Sequence, residues 1–312
     1  MRKTCLNMVH TLAKSDPRVV FVGSDLGPGV LDEMKQEFPD RFFMEGVSEQ
    51  HIVGLAAGLA MEGFIPYVNT IATFITRRCF EQVALDLCLH NLPVRLIGNG
   101  GGLVYAPLGP THLAIEDMAI MRALPNMTIV SPVDADEMAR LMEQSVDVAG
   151  PIYIRLGKGG DPIVSRANAG FEIGKSICLR TGGNIVLVST GVMTNRALAA
   201  AEILDRDGIF CSVLHMHTVK PLDHQGLSEL ASAARLVVTL EEHTLPGGFG
   251  SAVLESLSDN LGRQMPPVER LGIPDAFAVH YGSQDALLES YNLQPEAIAE
   301  VVTAAFATMQ AA

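Results

Sequence analysis

The stretch that indicates the fold is Gly46-Val47-Ser48-Glu49-Gln50-His51-Ile52-Val53-Gly54-Leu55-Ala56-Ala57-Gly58-Leu59-Ala60, followed by a short apolar run at 65–68. Residues 48–62 are typical of a helix that Ser48 opens as its N-cap. The run after it is typical of a buried strand. A helix that leads directly into a buried strand favours an α/β fold, in which helices cover a parallel sheet.

The same alternation continues on both sides of this unit. Further short apolar runs predict strands at 18–22, 94–97, 127–130 and 152–156. Helical patterns lie between them at about 75–90, 113–123 and 134–148. Because strands alternate with helices, the first part of the chain is predicted to be a doubly wound, parallel sheet.

The pattern is interrupted between 157 and 183, where Gly157-Lys158-Gly159-Gly160-Asp161-Pro162 is rich in turn residues. A second α/β pattern follows, with strands at 185–189, 211–215 and 236–239 and helices near 194–206, 225–233 and 248–258. We therefore expect two doubly wound α/β domains: a first domain at 1–165, a linker at 166–182 and a smaller domain at 183–312.

Composition excludes several classes of protein. The chain has 312 residues, 48% of them hydrophobic and 18% charged, which argues against disorder. A net charge of −13 disfavours general affinity for nucleic acid or for anionic membrane. The five cysteines are scattered without a CxxC pair, so neither a zinc site nor a disulfide framework is indicated. A reduced, cytoplasmic setting is expected.

Glu49 is the first candidate for chemistry, because it begins a helix that is otherwise small and apolar. A helix surface of glycine and alanine lets another backbone approach closely, and this would partly desolvate the carboxylate. On spacing alone, a plainer interpretation is favoured at this point. The carboxylate could simply stabilise the positive end of the helix dipole.

Two later motifs add candidates. His112 follows a Gly-Pro-Thr turn at a loop-to-helix junction, where an imidazole is well placed for proton transfer, although Thr111 could merely cap the helix. Phe74 precedes Arg77 and Arg78, an arrangement that could stack a flat ring and bind an anion. A core phenylalanine with two solvated arginines would look the same.

Taken together and in order, these motifs resemble the transketolase family, and more narrowly the C-terminal subunit of split transketolases. The resemblance covers essentially the whole chain. It is carried by Gly23-Ser24-Asp25-Leu26, the Glu49 segment, Phe74, Gly109-Pro110-Thr111-His112, Ser131-Pro132-Val133-Asp134, Tyr153-Ile154-Arg155, Thr218-Val219-Lys220-Pro221-Leu222-Asp223 and Glu241-Glu242-His243.

The resemblance implies a thiamine-diphosphate pyrimidine-binding domain, then the family's C-terminal domain. It also implies that a partner subunit carries the diphosphate-binding domain with its GDG…N motif, which this sequence lacks. Mg²⁺ or Ca²⁺ would then be bound by that N-terminal subunit, so no metal ligand is assigned in this chain. The two chains would assemble as an α2β2 heterotetramer, acting on sugar substrates.

The resemblance also implies roles for individual residues. Glu49 would hydrogen-bond to N1′ of the pyrimidine and so promote the proton relay to C2, where the cofactor performs the carbanion chemistry. Phe74 would stack on the pyrimidine, while Ser24 and Asp25 would lie near the cofactor. His112 would contact substrate oxygens and shuttle protons. Substrate contacts are further implied for Arg2, for Arg155, and for either Arg77 or Arg78.

Three positions depart from the family pattern. Leu108 stands where ordinary transketolases have an aspartate that contacts the acceptor hydroxyl, and glycines stand near 100 and 29, where phosphate-contacting His and Ser are expected. Leucine cannot hydrogen-bond a hydroxyl group, which would be left unsatisfied if buried. We therefore expect an acceptor other than the usual aldose phosphate, such as a ketone, a modified sugar or a substrate without phosphate.

Other interpretations stay open. The β subunit of a 2-oxo acid dehydrogenase first component shares the domain pair, the cofactor and the glutamate. The Gly-Pro-Thr-His run and Thr76-Arg77-Arg78 favour the transketolase side. Deoxyxylulose phosphate synthases are a further alternative, although they are normally one long chain. A subunit that has lost its chemistry is disfavoured by the intact Glu49, Phe74 and His112.

Overall fold

The computed structural model describes residues 1–24 and 29–311, with side chains described as far as residue 308. The strands are β1 (Val19–Gly23), β2 (Phe42–Met44), β3 (Ile65–Ile71), β4 (Arg95–Asn99), β5 (Thr128–Val130), β6 (Ile152–Leu156), β7 (Ile177–Arg180), β8 (Ile185–Ser189), β9 (Cys211–His215), β10 (Thr218–Lys220), β11 (Leu236–Thr244) and β12 (Val268–Ile273). The helices are α1 (Arg2–Ser15), α2 (Asp32–Glu37), α3 (Glu49–Met61), α4 (Phe80–Gln82), α5 (Asp117–Arg122), α6 (Ala135–Ser145), α7 (Met193–Arg206), α8 (His224–Ala231), α9 (Phe249–Leu261), α10 (Gln284–Ser290) and α11 (Pro295–Ala311).

These strands form two sheets. Within the described residues the strand order is β10-β5-β6-β4-β3-β1-β2 in the first sheet and β12-β11-β8-β9-β7 in the second. Neighbouring strands are parallel except at one edge of each sheet, where β10 pairs antiparallel with β5 and β7 pairs antiparallel with β9. The predicted pair of α/β domains with mostly parallel sheets is confirmed.

Each sheet is covered by helices on both faces, because successive side chains of a strand point to opposite sides. In β1, Phe21 packs into the apolar cluster that contains α1 and α6, whereas Val22 packs into the cluster that contains α3. Both side chains are fully buried. Central strands that are buried on both faces explain the continuous apolar runs seen in the sequence.

The helical region predicted at 75–90 is not a regular α-helix. Residues Phe74–Arg78 and Val83–Leu89 are π-helical, and only the short α4 lies between them. A π-helical turn accommodates one extra residue, and such turns are frequent at functional sites. The segment follows β3 directly, so it lies at the carboxyl edge of the first sheet.

Two local predictions are corrected. Ser48 is the residue before α3, but its hydroxyl does not cap the helix; it donates a hydrogen bond to the Glu45 carbonyl at 2.9 Å. The helix predicted at 113–123 begins only at Asp117, because Ala114 is engaged in a β-bridge with Gly102. The Ala114 backbone pairs with Gly102 and the Ile115 carbonyl accepts from the Thr244 amide at 2.7 Å, so these groups are unavailable for helical hydrogen bonds.

The two domains are connected by shared sheet edges and a shared apolar cluster as well as by the segment between them. The predicted linker at 166–182 contains β7, which belongs to the second sheet, while β10 from beyond it completes the edge of the first sheet. One continuous apolar cluster includes Met121 of the first domain together with Met216 and Leu222 of the second. Burying that shared surface fixes one domain against the other.

Among the helices in the described part of the chain, none combines the length and the apolar character that a bilayer span requires.

Candidate active site

Glu49 begins α3 and lies at the centre of the candidate site. It is only 3% exposed, so its carboxylate is held away from bulk water. One of its oxygens, Oε2, lies 2.7 Å from a terminal nitrogen of Arg78. A buried carboxylate is costly without a charged or hydrogen-bonded partner, and the Arg78 guanidinium supplies both.

Phe74 and His112 complete a cluster with Glu49 and Arg78. The Arg78 guanidinium carbon lies 4.3 Å from the centroid of the Phe74 ring, at cation–π distance. The His112 ring meets the Phe74 ring edge-on, with centroids 5.2 Å apart and an angle of 65° between the planes. The structure therefore brings together a carboxylate, a flat aromatic face, a guanidinium and an imidazole from three separate parts of the sequence.

The π-helical turn decides which arginine faces this cluster. Arg78 points to Glu49 and Phe74, whereas Arg77 binds the loop that carries His112. The Nε atom of Arg77 lies 2.9 Å from a Glu116 carboxylate oxygen, and another nitrogen donates to the Thr111 and Leu113 carbonyls at 3.4 Å and to the Thr73 hydroxyl. Burial raises the pKa of Glu116, while Arg77 opposes that shift.

The loop around His112 is also fixed from the second domain. Gly109 has a φ of 77°, and a Cβ placed there would come within 2.5 Å of the Tyr281 ring. His112 itself hydrogen-bonds through Nδ1 to the Thr111 hydroxyl at 2.9 Å. The Thr111 hydroxyl therefore hydrogen-bonds to the imidazole and does not cap a helix. A cavity of about 370 Å³ opens beside this loop, lined by Arg77, Glu116 and Phe277 among others.

Ser24 and Arg2 lie apart from the contacts just described. Ser24 is buried at the end of β1 and donates its hydroxyl hydrogen to Thr70 at 2.8 Å, on the neighbouring strand β3. Arg2 lines a separate cavity of about 300 Å³ with Gly29 and Leu31. Asp25 lies outside the described residues. The roles expected for all three stay predictions.

Arg155 lies at the junction of the two domains, and its expected substrate contact stays a prediction. It is 5% exposed and its Nε donates to Asp117 at 2.8 Å, while a terminal nitrogen donates to the Ala114 and Glu242 carbonyls. Burial lowers the pKa of this guanidinium, but the adjacent Asp117 carboxylate outweighs burial and raises it. Its described hydrogen bonds thus join the first domain to the second.

The domain junction contains buried acids and a histidine whose positions the sequence did not reveal. Glu242 accepts hydrogen bonds from the Leu103 amide at 2.7 Å and from Gln284 at 2.8 Å. Glu241 accepts from the first backbone amides of α9, and burial raises its pKa to about 7. Burial lowers the pKa of His243 to about 4. In the sequence these three residues stood out as adjacent polar residues at the end of an apolar strand and as one segment of the family resemblance.

The class of protein is indicated by two α/β domains with mostly parallel sheets. A buried acid lies beside an aromatic ring at the carboxyl edge of the first sheet. Residues 1–160 match the family model for the transketolase pyrimidine-binding domain, and residues 174–298 match that for the transketolase C-terminal domain. The chain belongs to the transketolase family.

Individual relatives differ in length. The chain is 35% identical to a 6-deoxy-6-sulfo-D-fructose transketolase subunit of Clostridium sp. (strain MSTE9), over 98% of this chain and 93% of that protein. It is 38% identical to 1-deoxy-D-xylulose-5-phosphate synthase of Microcystis aeruginosa, over 97% of this chain but 48% of the relative. It thus spans about half the length of the synthases that it matches.

Solved structures agree with the fold. A split-gene transketolase described as an inactive β4 tetramer superimposes with a TM-score of 0.87 at 36% identity, covering 97% of this chain and 96% of that one. A transketolase mutant from Pichia stipitis gives a TM-score of 0.79 at 18% identity, covering 99% of this chain and 46% of that one, and shows the fold alone.

Proposed function

We propose that this chain is the C-terminal subunit of a split, thiamine-diphosphate-dependent transketolase. It would transfer a two-carbon ketol unit from a ketose donor to an aldehyde or ketone acceptor. The observation that carries the proposal is the buried Glu49 carboxylate, held beside the Phe74 ring with His112 at the edge of that ring.

The residues present fit the pyrimidine part of the cofactor. A flat, nitrogen-containing ring needs an aromatic face to stack on and a carboxyl group to hydrogen-bond, and Phe74 and Glu49 provide these. When bound, thiamine diphosphate supplies the carbanion chemistry at its C2 atom. Glu49 would hold a hydrogen bond at N1′, and His112 would exchange protons with substrate oxygens.

A partner subunit would supply the diphosphate and metal contacts. Two relatives of matching length support a subunit arrangement: one carries the word subunit in its name, and the other is a split-gene protein whose β4 tetramer is described as inactive. Among the described residues, no group of three or more acidic, histidine or cysteine side chains is arranged to hold a metal ion. We propose an α2β2 assembly in which Mg²⁺ or Ca²⁺ is bound by the other chain.

The acceptor is proposed to differ from an ordinary aldose phosphate. Leu108 is 49% exposed, so an apolar side chain faces solvent where a hydrogen-bonding group is expected. Gly100 has a φ of 73° and a Cβ there would come within 2.5 Å of Tyr105, so the backbone and its neighbour leave no room for the expected histidine. These two positions remove hydrogen bonds that an acceptor hydroxyl and phosphate would require.

The test is a reconstituted complex of this chain with a diphosphate-binding partner chain, thiamine diphosphate and Mg²⁺. Ketol transfer is measured from several ketoses, including 6-deoxy-6-sulfo-D-fructose, to acceptors with and without phosphate. Glu49→Gln should reduce turnover by at least a hundredfold, because an amide cannot transfer a proton as a carboxyl group can. Glu62→Gln, an exposed residue beyond the end of the same helix, is the matched control.

The proposal fails if Glu49→Gln retains near-normal turnover in a folded complex. The acceptor hypothesis fails separately if ribose 5-phosphate is used as well as any other acceptor.

A second candidate is synthesis of a 1-deoxyketose phosphate. It is favoured by the identity of 38% to the Microcystis aeruginosa synthase over nearly the whole chain. Incubating the same complex with pyruvate and glyceraldehyde 3-phosphate distinguishes the two. Formation of 1-deoxy-D-xylulose 5-phosphate without ketol transfer would replace the first proposal with this one.

A further inference from the structure

Arg78 binds two groups at once, and the combination points to a function. Its guanidinium hydrogen-bonds to Glu49 Oε2 at 2.7 Å while its central carbon lies 4.3 Å from the centroid of the Phe74 ring. A guanidinium is flat, donates hydrogen bonds in its plane and stacks on aromatic faces. Arg78 thus contacts a buried carboxylate and the face of an aromatic ring at the same time.

The aminopyrimidine ring of the cofactor needs the same two partners. If the proposed function is correct, that ring must hydrogen-bond to Glu49 and stack on Phe74. The aminopyrimidine and the guanidinium are both planar groups that can donate hydrogen bonds to a carboxylate and lie over a phenyl ring. They compete for one carboxyl group and one aromatic side chain.

We propose that Arg78 is a placeholder for the aminopyrimidine, occupying the Glu49 and Phe74 contacts until thiamine diphosphate displaces it. This inference rests on the proposed function and goes beyond it, since it assigns Arg78 a role in the protein without cofactor. The buried carboxylate is thereby never left without a partner, which would be strongly destabilising.

The local structure allows the side chain to leave while its backbone stays. The Arg78 side chain is 47% exposed, so its guanidinium can return to water by rotating about its own bonds. The Arg78 carbonyl accepts a hydrogen bond from the Gln50 side-chain Nε2 at 3.2 Å, which connects this turn to the start of α3. Glu49 is 3% exposed and remains in place to receive the next partner.

The consequence is a reduced apparent affinity for the cofactor. A ligand that binds only the open state has its affinity lowered by the fraction of molecules in that state. If nine molecules in ten hold Arg78 against Glu49, the cofactor binds about tenfold more weakly than it would without the competitor. Removing the guanidinium should therefore tighten binding, although it also removes a positive charge near an anionic ligand.

The experiment measures thiamine diphosphate affinity by calorimetry in the complex with the partner chain and Mg²⁺. Arg78→Met removes the hydrogen bonds and the charge while keeping a side chain of similar length. Arg78→Gln keeps one donor for Glu49, and it serves if the methionine variant folds poorly. We expect about tenfold tighter binding for Arg78→Met and a smaller gain for Arg78→Gln. Arg77→Met is the matched control, since it removes the same charge one residue away without touching Glu49 or Phe74.

A second measurement follows the side chain itself in the wild-type complex. The Nε–H resonance of Arg78, assigned by its absence in Arg78→Met, should shift when thiamine diphosphate is added. An unshifted resonance, or equal or weaker cofactor binding by both variants, would overturn the inference while leaving the proposed function intact. Tighter binding by Arg77→Met as well would also overturn it, because charge alone would then explain the gain. A wild-type complex that binds no thiamine diphosphate would refute both.

Discussion

Arg77 and Arg78 are neighbours in sequence, yet their guanidinium groups bind different partners. Arg78 contacts Glu49 and Phe74, and Arg77 contacts Glu116 and the loop around His112. Phe74 and Arg78 are the first and last residues of one π-helical turn, and the Arg78 guanidinium lies over the Phe74 ring. Adjacent arginines therefore take on one role at the cofactor contact and another in fixing a loop.

Arg155 is the single residue whose contribution to stability can be tested most directly. Arg155 and Asp117 are both buried, and their side chains are 2.8 Å apart. Arg155→Met should lower the free energy of unfolding by about 3–5 kcal/mol, because it leaves a buried carboxylate without its cation. Urea denaturation of purified variants measures this.

The double variant tests whether the pair, and not the arginine alone, is responsible. The double variant Arg155→Met/Asp117→Asn removes both charges. Its loss of unfolding free energy should therefore be about 1–3 kcal/mol smaller than the sum of the losses in the two single variants. Strictly additive losses would show that the two side chains are not coupled. Arg18→Met, which breaks an ion pair at the surface with Asp16, is the control and should leave stability almost unchanged.

At the scale of elements, the start of α6 is joined to the segment between the domains. Asp134 is fully buried and acts as the N-cap, with Oδ1 accepting from the Glu137 amide at 2.9 Å. Its other oxygen accepts from the Val164 and Ser165 amides at 2.8 Å. One carboxylate therefore both begins a helix and fixes the chain as it leaves the first sheet.

Two substitutions separate these roles. Asp134→Ala should cost about 3 kcal/mol, since it removes the cap and leaves two amides unsatisfied. Asp134→Asn should lower the unfolding free energy by less, because the side-chain oxygen of asparagine can still accept a hydrogen bond whereas its side-chain nitrogen cannot. Urea denaturation gives the energies, and hydrogen exchange at 160–168 reports the loop. Equal losses for both variants would contradict the dual role. Asp136→Ala, exposed in the same first turn, should cost only a few tenths of a kcal/mol.

At the scale of the whole molecule, the two domains share a buried histidine cluster. Glu137 of α6 lies 2.9 Å from His215 of β9, and His217 stacks on Phe171 with ring centroids 4.2 Å apart. Burial raises the pKa of Glu137, but the His215 imidazole more than offsets this and lowers it to about 2. Burial lowers the pKa of His217 to about 3. Both groups thus link the stability of the domain contact to pH.

His217 should make the folded protein sensitive to mild acid. An unfolded histidine titrates near pH 6.5, whereas folded His217 stays neutral, so the unfolded chain binds the extra proton between pH 6.5 and about 3. Stability from this group is present above pH 6.5 and is lost as the pH falls. The unfolding free energy of the wild type should fall as the pH is lowered from 7 to 5. In His217→Phe this fall should be smaller by about 1–2 kcal/mol.

The pH dependence must be compared between wild type and variant, because the titration of Glu241 changes stability with pH in the opposite direction to that of His217. Its pKa is raised to about 7, so its contribution is present below about pH 4.5 and is lost as the pH rises towards 7. That contribution is common to wild type and His217→Phe and cancels in the difference. His90→Gln, at an exposed position, is the control and should match the wild-type pH dependence. A parallel pH dependence for His217→Phe would refute the assignment.

The sequence by itself determined the fold class, the strands of both sheets that are buried on two faces, and the identity of Glu49, Phe74 and His112 as candidates. Those features depend on local patterns: continuous apolar runs, a small-residue helix and a turn motif. The same patterns could not place the edge strands β7 and β10, because short edge strands are defined by their partners. They also could not show the π-helical turn, which one extra residue imposes on an otherwise helical pattern.

Only the tertiary structure decided which arginine faces the candidate site and where Arg155 lies. Both answers depend on contacts between residues far apart in the chain: Arg78 with Glu49, and Arg155 with Asp117 and the Glu242 carbonyl. The sequence alone does not distinguish a charged side chain that binds a substrate from one that neutralises a buried acid. What distinguishes the two is the surrounding low-polarity packing, which exists only once both domains have folded against each other.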